Sequence, residues 1–531
     1  MHNHHSLLAT SIVLLALISC SSAGKEPVEA DLLFFNGLVY QNAQLQSDSL
    51  AVKDGRIINA SGVTTAKQRV DLEGSVILPG FHDSHTHLLA GSFVFDRLLL
   101  VGATSMNNIE NKVRSFANEN SSDPWLIGYG WILNLTENPT GVALDDAAGD
   151  RPLALFDSSG HALLVNSLAM EQAGITTDTP DPSGGTIVRD EQGIPTGLLL
   201  ESAIELVSPL MVNSFTDEQL SAGLLDTVSD FHAAGVTGIS EILAVPGVNL
   251  SRPWVLTEEE ALSLRIRYYL PVFSEADLEG IAQLREHSSE MTQFAGVKVW
   301  VDGSTGSGEA WTLEASAIDD EHYGSHYFDS TALIPIIEHA EQNDYDLKMH
   351  VNGDAAVQAA LDALEAVDSA TPLEQRHILE HVVLIDPADY TRIAALGLTA
   401  SVQPSHRLVA AYGDQAEHWS DGRFDQSWDF AALAEAGIPL ALGTDWPVWP
   451  TPDAMVNLGT AIDGVGDKGL DFTTALHSYT ENSARISGLT NTGTLSLGSA
   501  ADFVILSADP ASTRPAEIRI ESTWVAGAQV Y

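Results

Sequence analysis

From residue 236 onward the chain repeats one rhythm: a short apolar or β-branched run, a stretch of helical apolar spacing, then another run. The runs occupy 236–239, 265–273, 297–301, 347–351, 377–383, 398–402 and 440–442, and with 76–81 ahead of them they number eight. Strands that alternate with helices pair in parallel, and eight such units close into a barrel. Spacing agrees. His350 and His381 are 31 residues apart, one strand-helix unit, and His381 and Asp445 are 64 apart, close to two.

The two ends have another texture. Residues 32–37, 50–58 and 70–74 are short apolar segments carrying Asn-Gly, Asp-Gly and Glu-Gly turns, a mark of small antiparallel sheets. Similar segments return at 493–495, 501–506 and 523–527. The expected architecture is α/β: a distorted (β/α)8 TIM barrel over 80–488, with a small composite β-sandwich domain from both chain termini, 31–79 and 489–531. A long insertion after strand 1, at about 88–225, exceeds a single helical return and holds its own strand and turn signals. It reads as a cover over the open end of the barrel.

Residues 7–19 form an apolar stretch of signal-peptide length, too short to span a membrane as a mature helix. Leu17-Ile18-Ser19-Cys20 resembles a bacterial lipobox, so 1–20 is expected to be a signal peptide, Cys20 the lipidated first mature residue, and 21–30 a polar tether. The first five residues lack Lys and Arg, a departure from the usual pattern, and cleavage near Ala23 to a free periplasmic protein is the alternative. The expectation is an exported, periplasmic lipoprotein, held to a bacterial membrane, the outer one favoured, through the lipid on Cys20 alone.

Composition narrows the partners. The 531 residues are 44% hydrophobic, enough for a large core, and 24 Lys plus Arg face 72 Asp plus Glu, a net charge of −48. Phosphate binding needs clustered cations, so nucleic acid is excluded and a small-molecule substrate expected; a homodimer is left open. With Cys20 the single cysteine, no intrachain disulfide can form.

Candidate chemistry begins at Pro79-Gly80-Phe81-His82-Asp83-Ser84-His85-Thr86-His87. Residues two apart on a strand share a face, so His85 and His87 can bind one metal ion. Other ligand-type residues stand at the C-terminal ends of the expected strands, where such barrels hold their active sites: Lys298 on strand four, His350 on five, His381 on six and Asp445 on eight. Neutral imidazoles and a carboxylate suit one or two divalent ions of the zinc class. Water on such an ion loses a proton near neutral pH and can attack a carbonyl carbon, with Asp445 as both ligand and catalytic proton shuttle. Lys298 is flanked by apolar residues, and burial lowers a lysine pKa. As a neutral amine it can add carbon dioxide, becoming N6-carboxylysine and bridging two metals; otherwise it pairs with an acid and the site is mononuclear.

Taken in order, His85-Thr86-His87, Lys298 before Asp302-Gly303-Ser304, His350-Val351-Asn352-Gly353-Asp354, Glu380-His381 and Gly443-Thr444-Asp445-Trp446-Pro447-Val448 resemble the amidohydrolase superfamily. The chain is similar in particular to amidohydrolase family 3, the branch of N-substituted formamide deformylase-like metal-dependent hydrolases, from about Asp31 to Tyr531. The resemblance implies hydrolysis of carbon-nitrogen bonds other than peptide bonds, of amide or formamide type. An ester, lactone or cyclic imide hydrolase on the same site, and a non-catalytic surface-anchored binding protein, are the alternatives.

Within the insertion, Gly160-His161-Ala162 and Thr196-Gly197-Leu198 with Glu201 also resemble that branch. His161 and Glu201 are thus substrate-binding candidates, against a buried polar cluster and a helix-surface acid as the plainer readings. Trp446 is a third candidate, either lining a pocket or packing in the core. The branch commonly continues Leu-Gly-Ser-Arg after Asp302-Gly303-Ser304, whereas Thr305-Gly306-Ser307-Gly308 has no arginine, so a substrate anion contact is expected to be missing. His377 competes with His381 for strand six, but four residues along a strand place it roughly 13 Å lower, toward the barrel floor. Asp354 is expected as a helix cap.

Overall fold

The structure is a computed structural model and describes residues 28–41, 44–94, 97–120, 124–133, 136–182, 184–243, 262–284, 288–374, 376–410, 419, 422–449, 451–464 and 468–531. The expected signal peptide, Cys20 and most of the tether lie outside the described residues. Among those described, no helix is long and apolar enough to cross a membrane.

Eight parallel strands follow one another around a barrel in chain order: β1 (Phe81–Thr86), β2 (Val236–Ile242), β3 (Arg265–Val272), β4 (Thr292–Trp300), β5 (Asp346–Val351), β6 (His377–His381), β7 (Thr399–Val402) and β8 (Leu440–Leu442). β2 and β5 are buried along their whole length, as strands covered on both faces must be. The last gap, between β8 and β1, closes just beyond the strand ends. Thr86 bridges to Trp446, Asp445 N donates to His85 O (2.8 Å), and His87 N donates to Trp446 O (2.8 Å). The Asp83 carboxylate staples the same seam, accepting Thr444 N at 3.0 Å and Thr444 Oγ1 at 2.6 Å. Only glycine fits at 443, where a Cβ would lie 2.7 Å from His85 N and 2.9 Å from Asp83 Oδ1.

The first expected strand, 76–81, divides at Pro79-Gly80. Val76–Pro79 leaves the barrel and pairs antiparallel with Phe503–Leu506, while β1 starts at Phe81. That pairing joins the chain ends: five strands between Val28 and Pro79 and three after Phe503 make one mixed sheet of eight. One face carries a shared apolar core in which Phe34 meets the rings of Phe503 and Trp524 edge-on, each at 5.2 Å. Asp54 and Gly55, at φ 48° and 71°, form the expected hairpin turn, pairing Lys53 with Arg56. Asn36-Gly37 does not turn the chain. It sits inside the long strand Val28–Gln41, where the register shifts between Phe34 and Gly37 as a bulge. No strand forms at 493–495.

The insertion has its own six-stranded sheet and its own core around Leu100, Trp131, Leu155 and Leu164. Its strands Ala162–Val165 and Pro195–Glu201 pair antiparallel, bringing His161 and Glu201 side by side. Helix Asp217–Ala233, started by a reciprocal Thr216/Gln219 cap, then returns the chain to β2.

Candidate metal centre

Five imidazoles and a carboxylate gather at the C-terminal mouth of the barrel, and for four of the imidazoles the orientation has a local cause. His85, on β1, has Nδ1 2.6 Å from Glu380 Oε2. His87 has Nδ1 2.9 Å from the Ile242 carbonyl at the end of β2. His350 has Nδ1 3.1 Å from Asp302 Oδ1, and His381 has Nδ1 2.9 Å from Gln403 Oε1. All four partners are acceptors, so Nδ1 carries the proton and Nε2 keeps its lone pair for a metal. At His350 the Asn352 amide nitrogen also stands 3.2 Å from Nε2.

The rings converge: His85 and His381 centroids are 4.9 Å apart, and His350 and His381 4.5 Å. Asp445 Oδ1 lies 3.0 Å from His87 Nε2 and 3.4 Å from His85 Nε2. Oδ1 is buried, yet it makes no hydrogen bond of proper geometry. Donor atoms this close and aimed past one another suit shared ligation of a third body. His85, His87 and Asp445 offer atoms close enough for one ion, and so do His381, His406 and Asp445. His406 is the fifth imidazole, with Nε2 3.4 Å from Asp445 Oδ2 and its ring parallel to that of His381.

At three of the four rings the protonation state agrees with a metal site. Burial, reinforced by the Lys298 charge, lowers His85 to about 4 and holds His350 well below the ordinary histidine value. Burial and the neighbouring His350 do the same to His381. Burial pushes His87 down as well, but Asp445 outweighs it and raises this ring. Asp445 stays well below the usual carboxylate range although burial opposes ionisation, because His85 and His87 face it. Lys298 Nζ is fully buried without a hydrogen-bond partner, and burial lowers it to about 8, so the neutral amine is more accessible near neutral pH than in an ordinary lysine.

Backbone strain concentrates here. His381, Val382, Asp445 and Glu201 hold φ of 74°, 47°, 56° and 53°, a region that L side chains avoid and a β-branched valine above all.

The remaining expected residues fall in different places. Glu201 is no helix-surface acid: it ends its strand buried, 2.6 Å from His161 Nδ1, and also accepts Tyr327 Oη (2.7 Å) and Ser307 Oγ (3.1 Å). Facing Glu201 raises His161 to about 9 in spite of burial, and lowers Glu201 in turn. The His161 ring stands 5.6 Å from His350. Trp446 is turned into the core, where Gly91 leaves room for its ring and Phe231 packs at 5.5 Å; Pro447 and Val448 line the cavity instead. His377 binds Glu341 at 2.7 Å from the start of β6, as its register implies. Asp354 is not the expected cap: Gly353 holds that position, and Asp354 is the first residue of helix Asp354–Ala370, its carboxylate accepting Leu313 N.

Sequence reasoning quoted Asp302 and Glu380 without giving either a role, and it missed Gln403, Lys348 and His406. Asp302 collects the backbone N–H groups of Trp311, Asn352 and Gly353 besides His350. Its place before Gly-Ser was the available signal. Above the centre lies a cavity of about 430 Å³, walled by both barrel and insertion residues.

A model described as the amidohydrolase family matches residues 68–531. The chain is 30% identical to Protein LONG AFTER FAR-RED 3 of Arabidopsis thaliana, over 95% of this chain and 92% of that protein. It is 25% identical to the N-substituted formamide deformylase of Arthrobacter pascens, over 85% of this chain and 86% of the relative. A solved metal-dependent hydrolase from Pyrococcus horikoshii OT3 is similar with a TM-score of 0.74 at 24% identity, covering 91% of this chain and 99% of that one.

Proposed function

This chain belongs to the amidohydrolase family, and we propose that it hydrolyses carbon-nitrogen bonds outside peptides, in amides or formamides of small molecules. The observation that carries the reading is four imidazoles tied down at Nδ1 around a buried carboxylate that stays ionised. His85, His87, His350, His381 and Asp445 would hold one or two divalent ions, zinc by the donor chemistry, with a carbamate on Lys298 as the bridge between two. A divalent ion so held supplies Lewis acidity, making water nucleophilic near neutral pH and polarising a carbonyl oxygen.

The side chains perform the proton transfers. Asp445 turns Oδ1 to His85 and His87 and leaves Oδ2 toward His406. Oδ2 takes a proton from the attacking water as the carbon-oxygen bond forms, and returns it to the departing nitrogen as the carbon-nitrogen bond breaks. The products are a carboxylic acid and an amine. His161, charged against Glu201, donates from Nε2 to the substrate's carbonyl oxygen. The relative named for N-substituted formamides supports the formamide branch of this reading. Export through a lipidated Cys20 belongs to the same proposal, and a Cys20→Ser chain should take up no fatty-acid label.

Its test is a panel of N-substituted formamides and amides given to zinc-loaded protein, with released amine measured. Chelation should abolish turnover, zinc should restore it, and Asp445→Asn should cut kcat by about two to four orders of magnitude. Undiminished turnover by the chelated protein refutes the reading.

A further inference from the structure

The cavity wall carries a further pair of polar side chains, Glu205 and Ser208, that the hydrolytic chemistry does not use. Beyond Glu201 the chain runs through the 3-10 helix Ser202–Leu206, which at about 2 Å per residue carries Glu205 roughly 8 Å from Glu201. Glu205 and Ser208 line the same cavity as His85, His87 and Asp445, among apolar walls that include Ile204, Met211 and Val212. Among the described residues, no lysine or arginine lines this cavity. The Ser208 hydroxyl is buried without a hydrogen-bond partner. Glu205 likewise has neither ion pair nor hydrogen bond among the described residues.

The half-buried Glu205 carboxylate, set among apolar side chains, gives up part of its hydration and regains nothing from the described residues. Burial first, and the charge of Asp277 second, raise Glu205 to about 7. A cationic nitrogen would supply what is lacking. Phe273 and Trp300, stacked with centroids 5.2 Å apart, line the cavity too, and aromatic faces attract cations and repel anions. The chain's net charge of −48 biases approach the same way.

We propose that the part of the cavity wall formed by Glu205 and Ser208 is a subsite for a cationic nitrogen on the substrate's N-substituent, with Glu205 as counter-ion and the Ser208 hydroxyl as a hydrogen-bond acceptor. The substrate class is then an amine-bearing amide or formamide, not a carboxylate-bearing one. That the ligand is a substrate rests on the hydrolase reading; the charge preference does not.

Three formamides of matched length separate the possibilities: N-(4-aminobutyl)formamide, N-pentylformamide and 5-formamidopentanoate. Calorimetric titration of the zinc-loaded full chain reads Kd where a compound is only bound and KM where it is turned over, so their ranking is obtained whether or not hydrolysis occurs. The amine should lead the pentyl compound by about tenfold, with the carboxylate weakest, and Glu205→Gln should erase the amine's lead while leaving the pentyl compound within about twofold. A wild-type chain that prefers the pentyl or carboxylate compound, or shows no preference, overturns the proposal, as does an amine preference that survives Glu205→Gln. Ser208→Ala, expected to weaken only the amine, gives an independent reading should Glu205→Gln fold poorly.

Discussion

Glu380 Oε2 lies 2.6 Å from His85 Nδ1, while the other oxygen of the same carboxylate meets the Lys348 ammonium at 2.5 Å, all three side chains being buried. The ammonium also reaches the Ser84 carbonyl on β1, so one buried cation sets the carboxylate that sets the imidazole. Glu380→Gln should weaken zinc binding by about 10- to 100-fold, as removal of a ligand's outer partner does, measured by competition with a chelator. It should also cost about 3–5 kcal/mol of stability, because Lys348 is left charged and unpaired. Adding Lys348→Met should restore most of that stability and none of the zinc affinity. A double variant that regains affinity would show that Glu380 acts through packing alone.

Lys298 Nζ is buried 5.6 Å from the centre of the Trp300 ring with no acceptor to hold it, a costly arrangement for a plain ammonium. Carbamylation converts it into a carboxylate-like ligand. The intact chain should therefore take up two zinc ions, and bicarbonate enriched in carbon-13 should give a carbamate resonance. Lys298→Ala should lose activity by about two orders of magnitude or more, with partial recovery when propionate is added to stand in for the missing carboxylate. No resonance and no recovery would leave Lys298 a structural cation beside a mononuclear site.

Most of the barrel was legible because the strands after β1 carry apolar or β-branched residues in short runs, and β2 and β5 are covered on both faces. β1 was not. Its polar residues are buried, with His82 3.2 Å from Ser487 Oγ, Ser84 bonded to Ser401 and Asp83 to Thr444, so nothing in local hydrophobicity marks Phe81–Thr86 as a strand. The apolar residues just before it, Val76 to Leu78, drew the assignment and belong to the terminal sheet. Ligand-type residues could be read from their positions at strand ends. Lys348, Gln403 and His406 could not, since an inward lysine on a strand or a histidine opening a short helix looks ordinary until the barrel brings Glu380 and Asp445 against it. Trp446 misled for the reverse reason: adjacency to Asp445 says nothing about facing, and the chain turns its ring toward Gly91.

Asp346 opens β5 with its carboxylate buried against Arg376 at 2.9 Å, and burial raises it to about 6 from an ordinary 3.8, Arg376 only partly offsetting the shift. The folded chain thus binds this proton more tightly than the unfolded one. Its contribution to stability is full below the unfolded value and is lost as pH rises through about 6. Arg376 is half exposed, so the effect is on the order of 1 kcal/mol rather than the full linkage value. Denaturant midpoints at about pH 5 and about pH 8 should fall less in Asp346→Asn than in the native chain. Equal falls would mean that Asp346 titrates as it does when unfolded.

Tyr327 and Ser307, from the barrel segment after β4, and His161, from the insertion, all bond to Glu201, itself strained at φ 53°. This cluster fastens the insertion over the metal centre and aims His161 at the cavity, so Glu201 is a positioning residue. Tyr327→Phe removes one of three donors to a charged acceptor, worth about 1.5–3 kcal/mol, and should raise KM several-fold while zinc content stays unchanged. Glu201→Gln removes the charge that keeps His161 protonated, and should lower kcat/KM by about tenfold or more with zinc again unchanged. Because neither residue is placed among the metal ligands, zinc content is the discriminating readout. Loss of zinc in step with activity would mean that the cluster acts through His350, 5.6 Å from His161, rather than on the substrate.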